Sequence, residues 1–388
     1  MLQTRSTTRV DHGRSGASDR REARLGLPVF AVGLVLMPVG IGLGLPHVAK
    51  TGLQPLSVAG LIALVGGLVL LVMGAVSLVR ARRGWGRYLV TLPALIVAVV
   101  MATAVLGQAV ALTNIPATEL GTATPADRGL AYRDVEFATG DGVTLSGWYV
   151  PSGNGAAVAL LHGAGSTRSA VLDHAVVLAA NGLGVLLFDA RGHGRSGGTA
   201  MDAGWYGDED LGGAVSYLAH QPDVDPSRIG AVGMSMGGEE AIGALAADQR
   251  LRAVVAEGAT NRVPGDKAWL SDVYGWRGAI TEPVDWLVYN VADLLTAASQ
   301  PTTLRSAVAA APETPVLLIA AGAVPDELNA ARYIQTASPD SVQIWVAPHA
   351  GHVGGLGADP AEWQARVSAF LGAALAGGSG GQLSGELR

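Results

Sequence analysis

The sequence predicts an α/β protein: a doubly wound, mostly parallel eight-stranded sheet with a helical lid insertion, preceded by three transmembrane α-helices. Three observations carry this. Short apolar runs alternate with helical stretches through the C-terminal part of the chain. Three long stretches without a charged residue come before them. A Gly-x-Ser-x-Gly sequence, Gly233-Met234-Ser235-Met236-Gly237, stands between an apolar run and a helix-forming run, which places a serine on the sharp turn from strand to helix.

Composition agrees with a membrane share. Of 388 residues, 49% are hydrophobic and 15% charged. There is no cysteine, which excludes disulfides, thiolate metal sites and a cysteine nucleophile. The net charge of −6 is split: residues 1–112 carry 11 Lys/Arg against 3 Asp/Glu, and residues 113–388 carry 15 against 29. So acidic a large domain argues against a nucleic-acid partner.

Residues 1–25 are polar, rich in arginine and without hydrophobic periodicity, and read as a disordered tail. Spans follow at about 27–45, 56–79 and 88–112, each near the 20 residues that cross a bilayer as a helix. Pro28 and Pro38 interrupt the first, which invites a signal-peptide reading. Its length, its long basic leader and the two spans after it oppose that. Arg5, Arg9, Arg14, Arg20, Arg21 and Arg24 precede the first span, Lys50 alone lies between the first two, and Arg80, Arg82, Arg83 and Arg87 lie between the second and third. The pattern basic, poor, basic predicts a cytoplasmic N-terminus and an extracytoplasmic large domain.

Residues 113–129 read as a linker, and residues 130–376 as one domain. Tyr132–Ala138 and Val143–Val150 alternate in polarity around Gly140-Asp141-Gly142, as an antiparallel hairpin does. The runs Ala156–Leu161, Gly184–Phe188, Ile229–Gly233, Ala253–Glu257, Val316–Ala320 and Val342–Val346 read as strands buried on both faces of a parallel sheet. Helices are expected near Ser169–Ala180, Glu209–His220, Glu239–Ala247 and Glu327–Thr336, with Pro360–Leu375 closing the domain. Residues 261–313 break the rhythm with an aromatic-rich insertion, in which Val284, Leu287, Val288, Val291, Leu294 and Leu295 recur at helical spacing. It reads as a helical unit with its own small core, as a lid walling a site, or as both. Residues 377–388 are Gly/Ser-rich and read as a flexible tail.

Chemistry-bearing residues gather at strand ends. Leu160-Leu161-His162-Gly163-Ala164-Gly165 follows the third strand, and Phe188-Asp189-Ala190-Arg191-Gly192-His193-Gly194-Arg195-Ser196 the fourth. Val346-Ala347-Pro348-His349-Ala350-Gly351-His352-Val353-Gly354-Gly355 follows the eighth. A histidine neutral near pH 7 can take a serine proton and return it, where a lysine is mostly protonated. His349 and His352 could also bind a metal on one loop, but no companion ligand cluster is visible and no metal is expected.

With these motifs, residues 130–376 resemble the α/β-hydrolase fold family. The resemblance implies Ser235 as nucleophile and His352 as base, with His349 the alternative. It implies an oxyanion site at the backbone amides of Met236 and Ala164, a structural His162, and a loop braced by Asp189, Arg191 and His193. The acid belongs after the seventh strand. There Ala320-Ala321-Gly322-Ala323-Val324-Pro325-Asp326-Glu327 departs from the common Gly-x-x-Asp spacing. Glu327, whose longer side chain compensates for a shortened loop, is preferred to Asp326, and either could instead be a helix N-terminal charge. Glu257, at the end of the sixth strand, is a third candidate. Glu239 and Glu240 read as helix N-terminal charges, with Glu239 possible at the pocket. The implied activity is hydrolysis of a small acyl substrate, a carboxylic ester ahead of a thioester or amide, through an acyl-enzyme and without a cofactor. An exported peptidase or acyltransferase of the same fold, and a non-catalytic ligand-binding or envelope-interaction module, are the competing readings.

Overall fold

The computed structural model describes residues 12–82, 84, 85 and 87–376, and the chain divides into two compact units, Met1–Ala111 and Leu112–Arg388. Arg5, Arg9, Arg83 and the segment 377–388 lie outside the described residues.

The first unit is helical: α1 (His12–Thr51), α2 (Pro55–Arg80) and α3 (Tyr88–Thr113, with π-helical turns at Arg87–Thr91 and Thr103–Gly107). Leu25–Thr51, Pro55–Arg80 and Tyr88–Thr113 are each long and apolar enough to cross a membrane, with mean hydropathies of 2.1, 2.7 and 2.6. Helix α1 runs back to His12, through residues read from the sequence as part of a disordered tail. The segment Asp19-Arg20-Arg21-Glu22-Ala23-Arg24 is rich in good helix formers, and a helix already built from residue 25 extends through them without a new nucleation step. Helices α1 and α2 meet along glycines. A Cβ at Gly40 would lie 2.2 Å from Leu64 N, and one at Gly67 2.3 Å from Met37 N. Backbones this close require small residues, the usual device where lipid removes the hydrophobic drive to associate.

The second unit is built on one sheet in the order β1-β2-β4-β3-β5-β6-β7-β8. The strands are β1 (Arg133–Ala138), β2 (Thr144–Val150), β3 (Ala157–Leu161), β4 (Gly184–Phe188), β5 (Ile229–Met234), β6 (Leu251–Glu257), β7 (Val316–Ala321) and β8 (Val342–Ala347). Strand β2 pairs antiparallel with β1 and β4, and β3 through β8 run parallel. Both faces are covered. On one, Ala159, Leu161, Leu186 and Phe188 pack with Leu211 and Leu218 of α5 (Gly207–Ala219) and Ile242 of α6 (Met236–Gly243). On the other, Leu160, Val185 and Leu187 pack with Leu178 of α4 (Leu172–Ala180) and with Trp363 and Leu371 near the C-terminus. Burial on both faces is why the strands read as unbroken apolar runs, each fully buried leucine contributing about 2 kcal/mol.

The interval 261–313 holds a short turn at Pro264–Lys267, then α7 (Leu270–Tyr274), α8 (Trp276–Leu295) and α9 (Leu304–Ala310). Leu304, Ala307 and Val308 of α9 are buried in the main core. The small separate core expected from Val284, Leu287, Val288, Val291, Leu294 and Leu295 does not form: Val288 is buried, whereas Leu287, Leu294 and Leu295 are exposed. The buried side of α8 is taken by Gly278, Val288, Tyr289 and Ala292, with Val284 and Val291 half-buried beside them, so Leu287, Leu294 and Leu295 point away. After β7 comes α10 (Pro325–Gln335), and after β8 come α11 (Gly355–Ala358) and α12 (Pro360–Ala374). The parallel strands thus deliver His162, Asp189, Ser235, Glu257, Glu327 and His352 at or just beyond their carboxyl ends, where open α/β sheets bind ligands.

Candidate active site

Ser235 sits between the last residue of β5 and the first of α6 with φ 53° and ψ −120°, a conformation rare for a residue with a side chain. The flanking glycines are what allow it. A Cβ at Gly233 would lie 2.1 Å from Gly237 O, and one at Gly237 2.6 Å from His162 O. The Ser235 N–H donates to Glu257 O at 2.7 Å, which pins the turn to β6 and leaves Oγ at the strand end.

His352, half-exposed on the loop after β8, has Nε2 2.8 Å from Ser235 Oγ and Nδ1 2.7 Å from Glu327 Oε1. Glu327 lies in the first turn of α10, and its carboxylate is buried, with Oε2 accepting the Ala321 N–H at 2.7 Å. The bond to Glu327 holds the His352 imidazole above its ordinary value, against the opposing pull of its partial burial. Asp326 is one residue earlier, about 100° around the helix; it is exposed and accepts the Tyr274 hydroxyl.

Glu257 serves the same loop differently. Its buried carboxylate accepts the Gly355 N–H at 2.6 Å and the Trp363 Nε1–H at 2.8 Å, and burial raises it above the usual carboxylate range. It fixes the segment following His352, in which Val353 takes φ 48°. No sequence motif marks that role. His349 is exposed and stands outside the Glu327–His352–Ser235 chain of bonds.

Gly163 lies against the serine, where an added Cβ would be 3.3 Å from Ser235 Cβ. His162 holds this loop in place: Nε2 accepts the Ala190 N–H at 3.0 Å, so Nδ1 carries the proton and donates to Gly163 O at 2.8 Å. Burial pushes His162 down to about 4, so it stays neutral. Ala164 follows as an exposed turn residue, and the Met236 N–H is the first of α6, with no carbonyl one turn back to accept it.

Around this core, Asp189 binds Arg168, through its backbone N–H at 2.9 Å and its guanidinium at 3.2 Å, and the Arg195 N–H at 3.0 Å. Arg191 pairs with Asp210 at 2.6 Å and Asp141 at 2.7 Å. The two motif residues therefore brace their loop through separate partners. Glu239 Oε1 accepts the N–H groups of Thr260 and Asn261, each at 2.9 Å, which ties the elbow helix to the start of the insertion. Asn261 Nδ2 donates to the Tyr289 hydroxyl at 2.6 Å, and Tyr289 stacks on Trp205 with ring centroids 6.3 Å apart. Trp205 is a site neighbour that no motif announced. Among the described residues, no three His, Asp or Glu side chains converge as metal ligands.

Known proteins are similar to this chain over parts of its length. Residues 153–339 match the family of serine aminopeptidases, S33. The thiohydrolase aneE of Aspergillus aculeatus is 39% identical over 129 residues, 32% of this chain and 41% of that protein. An uncharacterized protein of Mycobacterium tuberculosis is 42% identical over 116 residues, 29% of this chain and 41% of its own length. The chain thus spans about two fifths of the length of these relatives. A solved esterase of Pyrococcus furiosus superposes with a TM-score of 0.54 at 28% identity, covering 68% of this chain and 98% of the esterase. The C-terminal unit has the α/β-hydrolase fold, and it is related to esterases and a thiohydrolase.

Proposed function

We propose, from the premise that the C-terminal unit is an α/β-hydrolase domain, that this chain is a membrane-anchored serine hydrolase that cleaves a carboxylic ester or thioester. The observation that carries the reading is the unbroken chain of hydrogen bonds Glu327–His352–Ser235. In this reading Ser235 Oγ attacks the acyl carbon as its proton passes to His352 Nε2. Glu327 holds the imidazole with its other proton on Nδ1 and offsets the charge it acquires. The Met236 and Ala164 amides receive the oxyanion. His352 protonates the leaving alcohol or thiol, and a water, deprotonated by His352 in turn, releases the acid from Ser235. Serine chemistry of this kind needs no cofactor.

Esters and thioesters are preferred to N-terminal peptide bonds on one ground. An aminopeptidase holds the substrate's ammonium with an accessible ionised carboxylate, whereas Glu239, four residues past the serine, is buried, which raises it above its ordinary value, and its Oε1 is taken by the N–H groups of Thr260 and Asn261. The test is a series of acyl p-nitrophenyl esters, matched thioesters and an aminoacyl anilide, offered to the full chain in detergent. Ester and thioester turnover should exceed anilide turnover at least a hundredfold. Anilide cleavage alone would establish a peptidase, transfer to an added alcohol in place of water an acyltransferase, and no turnover at all a binding module.

Orientation belongs to the same proposal. By the positive-inside rule, the arginines ahead of the span Leu25–Thr51 and those between α2 and α3 favour the cytoplasm for those ends and the outside for the hydrolase domain. Protease added to spheroplasts is expected to digest the domain and spare the N-terminal segment, and the reverse pattern would overturn the orientation.

A further inference from the structure

Helix α8 is apolar on two opposite sides. Gly278, Val288, Tyr289 and Ala292 face the domain and are buried. Trp276, Ile280, Pro283, Trp286, Leu287 and Leu294 fall within about 120° of one another on the other side, at about 100° per residue. All six are exposed, Trp276 by 71% and Leu294 by 83%, and no charged residue interrupts the strip. Isolated surface apolar residues need no explanation, but a strip of six along one helix marks a surface that something else covers.

The chain supplies the argument for what that is. Its three span-length helices end at Thr113, and 19 residues separate that point from Arg133, the start of β1. Much of that segment is folded onto the domain, with the Gly194 N–H donating to Thr118 O at 2.9 Å and Leu120, Ala123 and Leu130 packed on its core, so no long free tether joins the domain to helices that a bilayer would hold. The chemistry of the strip fits such a surface. Trp276 and Trp286 are the amphipathic rings that settle at headgroup depth, and leucine, isoleucine and proline lie between them. On α8, Glu282 and Asp293 border the strip against the single Arg277, which favours a neutral, zwitterionic surface over an anionic one.

The opposite side of the same insertion borders the candidate site. Tyr274 of α7 donates to Asp326, the neighbour of Glu327. Tyr289 of α8 accepts from Asn261, whose backbone Glu239 holds. We propose that α8 lays its exposed strip into the headgroup layer of the bilayer that carries the chain's own helices, and that the acyl ester or thioester reaching Ser235 is drawn from that bilayer. The choice of substrate rests on the hydrolase reading; the docking of α8 does not.

Because the chain has no cysteine, single cysteines at Leu287, Leu294 and, as control, the half-exposed Glu362 on α12 can each carry a fluorophore in the full chain in phosphatidylcholine vesicles. A nitroxide-bearing phosphatidylcholine is expected to quench the labels at 287 and 294 at least threefold more than the label at 362. Equal quenching would overturn the docking, as would labels at 287 and 294 that are shielded from water yet untouched by the lipid quencher, the sign of a second copy on the strip. The combined variant Trp276→Ser, Leu287→Ser, Leu294→Ser should keep hydrolysis of a water-soluble ester within about twofold and lose at least tenfold on a long-chain ester held in the vesicles. Equal loss on both would overturn the bilayer source of the substrate. Absence of any ester turnover in the unmodified chain would remove the hydrolase reading and the substrate with it, while quenching still decides the docking.

Discussion

Replacing Ser235 by alanine is expected to lower kcat/KM for a short ester by at least about a thousandfold while leaving the fold in place. The loss is large because the serine oxygen forms the bond to the acyl carbon, and neither His352 nor the amides of Met236 and Ala164 can replace it. What remains should be the small contribution of binding and oxyanion stabilisation. The fold is expected to survive because alanine carries the same Cβ as serine into φ 53°, so the strain of the turn is unchanged. One hydrogen bond, to His352 Nε2, is lost at a half-exposed position, for about 1 kcal/mol or less. Thermal unfolding followed by circular dichroism alongside the kinetics separates the two effects: unchanged unfolding with collapsed turnover is the expected pair.

The second large effect concerns the carboxylate. Glu327→Gln should reduce kcat by about 10⁴-fold, because an amide at Nδ1 no longer fixes the tautomer or offsets the imidazolium charge. Asp326→Asn should stay within about threefold, since Asp326 is exposed and contacts Tyr274 rather than His352. The pH profile gives an independent reading. Catalysis needs His352 neutral, so the rate falls as pH drops through its pKa. The bond to Glu327 raises that pKa above the ordinary 6.5, so the acidic limb in the unaltered chain should lie above pH 6.5. In Glu327→Gln it should move down, because the partner that favoured the protonated form has lost its charge. A limb that stays in place in Glu327→Gln and moves in Asp326→Asn would assign the acid to the neighbouring residue.

The sequence was most informative where one physical demand dictates one residue type. Strands buried on both faces must be apolar throughout, so six were legible as runs and the first two by the alternation of a hairpin, and a turn with Gly233 and Gly237 pressed against backbone admits nothing larger. The acid was less legible. Asp326 and Glu327 are neighbours in one loop, and only the phase of α10, set by where Pro325 starts the helix, decides which one turns inward. Glu257 was visible as a carboxylate at a strand end, but its partners, Gly355 N and Trp363 Nε1, come from about a hundred residues away, and no local pattern encodes them. The insertion misled for a related reason: helical spacing of Leu287, Leu294 and Leu295 reports an apolar side of α8, and periodicity alone does not say whether that side faces a core or the outside.

The central claim, that Ser235 is the nucleophile, is tested most directly by exposing the full chain to a fluorophosphonate and mapping the adduct by peptide mass spectrometry. The account predicts one stoichiometric adduct on Ser235, absent in Ser235→Ala and slowed at least tenfold in His352→Ala. An adduct on another residue, or none in a preparation that still turns over ester, would contradict it.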